Sequence, residues 1–362
     1  MLNNNRLFLD VHAIQTIPPS NINRDDTGSP KTAQYGGVRR ARVSSQAWKR
    51  AMRQYFYAYS EQTNVGIRTL EIVAYVAKKI REIDESKSKV ESIDLAAKVI
   101  GAAKIKTKDN RARALFFLGE QQAKGLAQAA LDGNYDKKEV QEILRKDPAI
   151  DIALFGRMVA DDPSLNEDAS SQVAHAISTH GVQTEFDFYT AVDDLAPEDN
   201  AGAGMLGTIE FNTSTLYRYA NVAVHELTRQ LGNEQTVINT LKLFVEAFSN
   251  SLPTGKVNTF ANQTLPQTVL VALREDRPVN LVSAFEKPVK SSDGYVDASI
   301  DRLFKELEKV QKFVREPARV LLLTKDNAKI QNLNCETVDN LEALTMELTN
   351  SLTSYFTNEK SE

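Results

Sequence analysis

The 362-residue sequence contains one cysteine, Cys335. No internal disulfide is available to it, and a reducing, cytoplasmic compartment is expected. No apolar run approaches the length of a membrane span. Met1 to Arg6 is polar, and the LFLDVHAI that follows is too short and interrupted for the core of a signal peptide, so no secretory leader is expected. Positive charge is not in excess: 44 Lys and Arg stand against 48 Asp and Glu, a net of −4. Global charge therefore does not announce a nucleic-acid partner.

Signatures of catalysis are scarce as well. There is no P-loop, no GxSxG and no GxGxxG after a strand. The four histidines are His12, His175, His180 and His225. His175 and His180 are five apart, the wrong spacing for one helix face or a zinc pair, and one cysteine cannot complete a Cys/His set. Asp25-Asp26 and Asp193-Asp194 are in principle able to chelate a divalent ion, but adjacent carboxylates are far more often loop solubilisers or helix caps. No catalytic residue, metal or cofactor is expected. Apolar content of 42 % argues against wholesale disorder. The length suits one large domain or two ordinary ones.

What the sequence does have is a local concentration of positive charge. Between Arg24 and Arg53 lie eight basic residues and two acidic ones, a net of +6. The rest of the chain, with 36 basic and 46 acidic residues, carries −10. A basic window in an acidic protein points to a bound polyanion. Gly36-Gly37 allow close approach of a backbone or a phosphate. Over Val38 to Val43, strand alternation puts Arg40 and Arg42 on one face. Ser44 and Ser45 precede a helical pattern as N-caps do, and Trp48, Met52, Tyr55 and Phe56 recur at core spacing. Lys49 and Arg53 share a helix face. With Ser44 and Gln46 they make the helix start a candidate phosphate seat. The competing reading is a solvated basic strand and helix that only keeps the protein soluble.

Leu7 to Ile14 alternates as a strand, which Pro18-Pro19-Ser20-Asn21 should end. From about Gly66 to Gln172 the period becomes helical. One stripe is Ile67, Leu70, Ala74, Ala77 and Ile80, and another is Val90, Ile93, Ala97 and Ile100. Lys104 to Arg113 interrupts as a basic loop, more often solvated than functional. Asp193 to Leu206 is acidic, then small and Gly-rich, and reads as an exposed loop. YRYANV (217–222) and Thr268 to Leu273 read as strands. Helical stripes follow at Val237, Leu241, Phe244 and Phe248, at Ile300, Leu303, Leu307, Val310 and Val314, and at Leu341, Leu344, Leu348, Leu352 and Tyr355. Strand, loop, strand, helix is consistent with an RRM-like or ferredoxin-like sandwich, but periodicity does not establish that fold.

Several literal strings carry a resemblance. NRDD (Asn23 to Asp26) and YGG-RR-R-SSQ--KRAMR (Tyr35 to Arg53) resemble the backbone subunit of the type I-E CRISPR Cascade complex, the CasC family. In the same order follow DIAL-GRM at Asp151 to Met158, AHAI-TH at Ala174 to His180 and TAVDDL at Thr190 to Leu195. LG--EF at Leu206 to Phe211, YRYAN at Tyr217 to Asn221 and AFEK-VK--DG at Ala284 to Gly294 complete the set. The match covers most of the chain to about residue 300.

The resemblance implies an α+β protein: an RRM-like (ferredoxin-like) palm with a large helical insertion, the fingers, and an extended thumb loop. The palm would comprise residues 1–65, 173–192 and 218–362 with its C-terminal helices; the fingers, 66–172; the thumb loop, 193–217. It implies a non-catalytic subunit that binds CRISPR RNA and polymerises head to tail along it. Target DNA would join through guide pairing. Other copies of the chain and the large, small, RNA-end-capping and RNA-processing subunits would be its protein partners, with no membrane involved. Arg24, Lys31, Arg40, Arg42, Ser44, Gln46, Lys49, Arg53 and Arg157 would contact RNA. Met158, Phe188 and Tyr189 would bracket a kinked guide nucleotide, and Met205 and Leu206 would sit at the thumb tip. The alternatives are a monomeric RRM-type RNA-binding protein and a metal-dependent nuclease using Asp25, Asp26 or His12.

Overall fold

The computed structural model describes residues 6–59, 64–159, 162–192, 202–325 and 334–359. The first strand, β1 (Phe8–Ser20), organises the rest. Leu9, Val11, Ala13 and Ile17 face one core, and Ile14 faces another, with Asp10 and His12 buried between its neighbours. Both faces of the strand are thus covered, as in a central strand with helices on each side. The strand runs past Pro18-Pro19, contrary to the expected stop. Its pairing slips between Ile17 and Ser20, so the two missing N–H groups fall at a bulge where no ladder bond is required.

A short hairpin follows, β2 (Thr32–Tyr35) and β3 (Val38–Val43), and leads into α1 (Ser45–Tyr59). The chain then builds a separate helical unit. Its elements are β4 (Ile67–Thr69), α2 (Ile72–Ile83), α3 (Lys89–Ala102), β5 (Thr107–Lys108), β6 (Arg111–Ala112) and β7 (Phe116–Leu118). Then come α4 (Glu120–Leu131) and α5 (Lys137–Arg145), after which α6 (Ile150–Phe155) returns to the sheet, with Ile150, Ala153 and Leu154 in its core. Helices α2 to α5 close on their own core, which includes Ile72, Val76, Ile80, Val99, Leu126 and Leu144. Of the expected stripes, Ala77, Ile80 and Ile100 are buried in this core and Ile93 and Ala97 pack against it. Ile67 belongs to β4, and Ala74 and Val90 are exposed. In α3, which a Ser88–Glu91 capping box starts, the inward positions are Ser92, Ala96, Val99 and Ile100. Alanine stripes are ambiguous because alanine is at home on either face. The basic Lys104–Arg113 stretch is a two-stranded tip, with Asp109 and Asn110 at positive φ in the turn.

The chain returns to the sheet through β8 (Ser171–Val173) and β9 (Ala176–Ser178). Next, β10 (Glu185–Val192) pairs antiparallel with the first half of β11 (Gly202–Ala223) as a projecting arm. The second half of β11 pairs with β1 from Asn212 to Ala223. The remaining elements are α7 (Val224–Leu231), α8 (Glu234–Asn250), α9 (Val257–Phe260), β12 (Thr268–Arg274), α10 (Val296–Val310), β13 (Arg319–Thr324), β14 (Cys335–Thr337) and α11 (Leu341–Glu359). The sheet has ten strands in the order β14-β13-β12-β1-β11-β9-β3-β2, with β8 and β10 also on β11. Its pairs are antiparallel except β13 with β14. Trp48, Met52 and Phe56 of α1, Phe244 and Phe248 of α8 and Leu344, Leu348 and Leu352 of α11 cover one face; Ile300, Leu303 and Leu307 of α10 and Phe285 cover the other. The protein is a mixed α+β structure.

The first glycine of the pair admits the protein's own backbone. Gly36 turns at φ +59° against the loop at Phe285-Glu286, and a Cβ there would fall inside the van der Waals radius of the Glu286 carbonyl oxygen. Gly37, at φ +79°, faces open space. Gly37→Ala should therefore cost only the left-handed strain of about 1–2 kcal/mol. Gly36→Ala should add displacement of the loop, for a total of about 2–5 kcal/mol. Chemical denaturation of both variants checks this. Equal losses would mean that contact with the loop is not what requires glycine at position 36.

Candidate nucleic-acid interface

Helix α1 divides its residues cleanly. Trp48, Ala51, Met52 and Phe56 are buried, while Gln46 and Arg50 stand exposed and Lys49 and Arg53 are half-buried beside them. Ser44 lies between β3 and α1. Its N–H donates to Asn23 Oδ1 at 2.8 Å, and its hydroxyl accepts from Ala47 N–H at 3.4 Å. It is buried and committed to capping. The exposed face of α1 forms one wall of an open cleft of ≈ 790 Å³. Gln46, Lys49, Arg50 and Arg53 line it from α1, Arg68 from β4, and Met158 from beyond α6. Glu167 and Asp168 are its acidic members.

The cations of the cleft are not equally free. Arg53 donates from Nε to Asp151 Oδ2 at 2.9 Å and lies 4.3 Å over the Phe117 ring. Asp151 is buried, takes the Gly66 N–H at 2.8 Å, and is pushed up by burial against the pull of Arg53. This pair joins α1 to α6 and, through the Gly66 N–H and the Phe117 ring, to the entry of the helical unit, so Arg53 is chiefly a strut. Lys49 sits 5.6 Å from the Phe155 ring centroid, and burial lowers its ammonium below the usual range. No side chain of opposite charge holds it among the described residues. Arg50 and Arg68 complete the basic wall. Arg50 was counted in the charge of the window without a role, and Arg68 carries no local signal at all, because only the fold of the helical unit brings it to α1.

Arg157 and Met158 show how backbone alternation aims two neighbours oppositely. Gly156, at φ +78°, ends α6, and Arg157 then bridges Glu167 in extended conformation. Arg157 points inward and is only 4 % exposed. It donates to the carbonyls of Leu165 (3.0 Å), Phe117 (3.3 Å) and Leu144 (2.8 Å) and to Gln122 Oε1 (3.2 Å). Burial lowers it to about 10. Its donors are thus committed to the protein's own acceptors, although it lies at the wall of the cleft. Met158 points out at 85 % exposure, so it is not a core methionine.

Arg40 is likewise interior. Its guanidinium donates to the carbonyls of Tyr35, Ser178, Phe285 and Glu286, at 2.8–3.3 Å. It shares a strand face with Arg42 as expected, but the Phe285-Glu286 loop covers that end of the face. Arg42 stays partly exposed, donating to Thr32 O at 3.1 Å and to His175 Nδ1 at 3.0 Å. Lys31 lies close enough to that ring to repel its charge. Arg24 is exposed on a loop that Asp25 closes: its Oδ1 accepts from the N–H groups of Thr27 and Ser29, both at 3.0 Å, and from the Thr27 hydroxyl at 2.7 Å. These bonds hold the Asp25 carboxyl below its usual range.

The other histidines are structural. His12 is fully buried, bonded at Nδ1 to the Tyr217 hydroxyl (2.9 Å) and lowered to about 3, chiefly by burial and then by Arg274. A nuclease role for it would need access that the fold denies. His180 stacks on Tyr295 and accepts the Thr215 N–H. His225 packs edge-on against Phe8. Among the described residues, no group of three or more His, Cys, Asp or Glu side chains is placed to hold a metal ion. Asp193-Asp194 lie outside the described residues.

On the arm, Phe188 and Tyr189 occupy successive positions of β10 and so face opposite sides. Phe186, Phe188 and Leu206 line one side, with exposures of 66, 65 and 68 %. Tyr189, 43 % exposed, lies across from Gly207 on the other side, and its ring occupies the space a Cβ of residue 207 would take. Glycine opposite an aromatic lets the ring lie flat on the ladder. The Met205 side chain lies outside the described set.

A family model described as "CT1975-like protein" matches residues 9–349. Two solved chains are similar over nearly the whole length. One, from a "CRISPR RNA-guided surveillance complex, pre-nicking", is 34 % identical with a TM-score of 0.84, covering 95 % of this chain and 100 % of its own. Another, from a "CRISPR RNA-guided surveillance complex", is 32 % identical with a TM-score of 0.65, covering 95 % and 99 %. No curated protein matches. No described helix is long and apolar enough to cross a membrane.

The opposite aims of Arg157 and Met158 give a paired expectation. Arg157→Met strips the donor from three buried carbonyls and should cost about 3 kcal/mol or more in denaturant unfolding. Met158→Ala should stay within about 0.5 kcal/mol of the parent. A methionine variant as costly as the arginine one would return Met158 to the core.

Proposed function

The chain belongs to the CT1975-like protein family, and from that membership we propose that it is a CRISPR RNA-binding subunit, repeated head to tail along a guide RNA as the backbone of a type I-E Cascade complex. The observation that carries this reading is the basic cleft on α1 with an exposed methionine at its rim. The surveillance complexes from which the similar chains come support it.

A subunit that must accept any spacer grips phosphate and sugar, and leaves sequence to pairing between guide and target DNA. Lys49, Arg50 and Arg68 would do so in the cleft, with Gln46 and the outer edge of Arg53 beside them. Arg24, Lys31 and Arg42 would extend the track. Arg40, Arg157 and Ser44 hold the frame rather than the ligand. Met158 and Tyr189, exposed and on separate elements, would bracket a nucleotide turned out of the stack, since an apolar thioether and an aromatic face both suit a base. Phe188, on the other side of β10, would meet a different surface. Breaking the guide at intervals presents short ordered segments and lowers the entropy cost of pairing. In this reading the sheet is an RRM-like palm, α2 to α5 are the fingers, and the β10–β11 arm is the thumb that reaches the next copy. Open head-to-tail contact builds a filament, finished by the complex's other subunits. The chain would act by binding, in the cytoplasm, without catalysis of its own.

Two measurements test this. Nucleotide-resolution probing of RNA co-purified with the chain and its partner subunits should find reactive positions at a constant interval, unchanged between spacers. Irregular or spacer-dependent protection would favour an isolated RNA-binding module. Replacing Lys49 and Arg50 by Ala should weaken binding about equally for unrelated single strands and flatten the log–log salt dependence by about 0.7 per lost contact. A loss confined to one sequence would contradict backbone gripping.

A further inference from the structure

His175 is the exposed histidine of the four, and its surroundings suit an anion rather than a metal. It lies between β8 and β9, where Arg42 of β3 pairs with Ile177 in the ladder. Arg42 is held at Nε by Thr32 O and gives Nη1 to His175 Nδ1 at 3.0 Å. A guanidinium only donates, so Nδ1 is the acceptor and carries no proton in this arrangement. The charges that reach the ring are those of Arg42 and of Lys31, just ahead of β2; no carboxylate from any packed element acts on it. Nor has Lys31 an acidic partner among the described residues. Three cationic or potentially cationic groups thus converge with nothing of opposite sign between them.

We infer that Lys31, Arg42 and His175 form a second phosphate seat, distinct from the α1 cleft, in which His175 takes up a proton as an RNA phosphate binds. This rests on the RNA-binding reading above and adds a proton-linked component to it. A phosphate oxygen entering the group takes over as acceptor for Arg42. It frees Nδ1, and the protonated ring then donates to the anion. One proton moves from a solvent or buffer acid to Nδ1, forming its N–H bond, and no bond between heavy atoms changes.

The sign follows from the surroundings. In the free protein, burial first and then Arg42 and Lys31 hold the ring below its ordinary value. A bound phosphate adds negative charge and raises it. Between the two values, binding consumes a proton, so affinity increases as pH falls. The gain is complete below the free-protein value and disappears as pH rises through the bound one.

The test uses the full chain and a uridine oligonucleotide, whose bases do not titrate near neutrality. From about pH 7.5 to pH 5.5 the parent should bind roughly three- to tenfold more tightly, the single-proton limit being tenfold per pH unit. His175→Gln keeps an oxygen that accepts from Arg42 but cannot take a proton, so its affinity should change less than half as much. Calorimetry in two buffers of different ionisation enthalpy should show proton uptake by the parent and less by the variant. Equal pH slopes, or equal proton uptake, would overturn the proton-linked seat while leaving RNA binding intact. No RNA binding at any pH would overturn both this inference and the function on which it rests.

Discussion

A guanidinium buried in a protein must give its N–H groups to acceptors, because water no longer can. The architecture depends on two arginines that meet this demand with backbone carbonyls. Arg40 binds the β2–β3 hairpin to β9 and to the Phe285-Glu286 loop, three segments remote in sequence. Arg157 does the same inside the helical unit, joining the end of α5 and the middle of β7 to the extended segment that precedes Met158. A third, Arg218, lies between Trp48 and Phe248 and donates to Gln15 and to the Phe248 carbonyl, lowered by burial to about 9. These cations are internal scaffolding.

The division between buried and exposed cations explains which parts of the candidate interface were legible in the sequence. The face of α1 was, because Trp48, Met52 and Phe56 mark its inner side and so fix Lys49 and Arg53 on the other. Strand alternation correctly put Arg40 and Arg42 on one face. It could not say that a loop some 245 residues downstream would cover half of that face. Charge counting has the same limit: it gives Arg40 and Arg42 equal weight, although one is packed against carbonyls and the other meets solvent. Arg68 was invisible for the opposite reason, since nothing local distinguishes it before the helical unit folds back on α1.

Among the core elements, legibility followed side-chain ambiguity. Strand β1 and helix α11 were plain because large aliphatic residues recur without interruption. Helices α2 and α3 were found with one misplaced position each, Ala74 and Val90, both of which are exposed. The glycine pair was recognised as a place of close approach, and only the structure shows that the approaching group is the protein's own Glu286 carbonyl. His175 was weighed as a metal ligand and dismissed on spacing. Its partnership with Arg42 arises across strands and has no periodic signature.

Strand β11 runs unbroken for 22 residues, changing partner from β10 to β1 near Asn212. Mechanically, this makes the arm a cantilever whose root is the centre of the sheet. A pull along the arm is directed along β11 and loads its ladder with β1 in shear, so the hydrogen bonds from Asn212 to Ala223 resist together instead of unzipping singly. Tension in an assembly built on such arms would pass from sheet to sheet through continuous backbone.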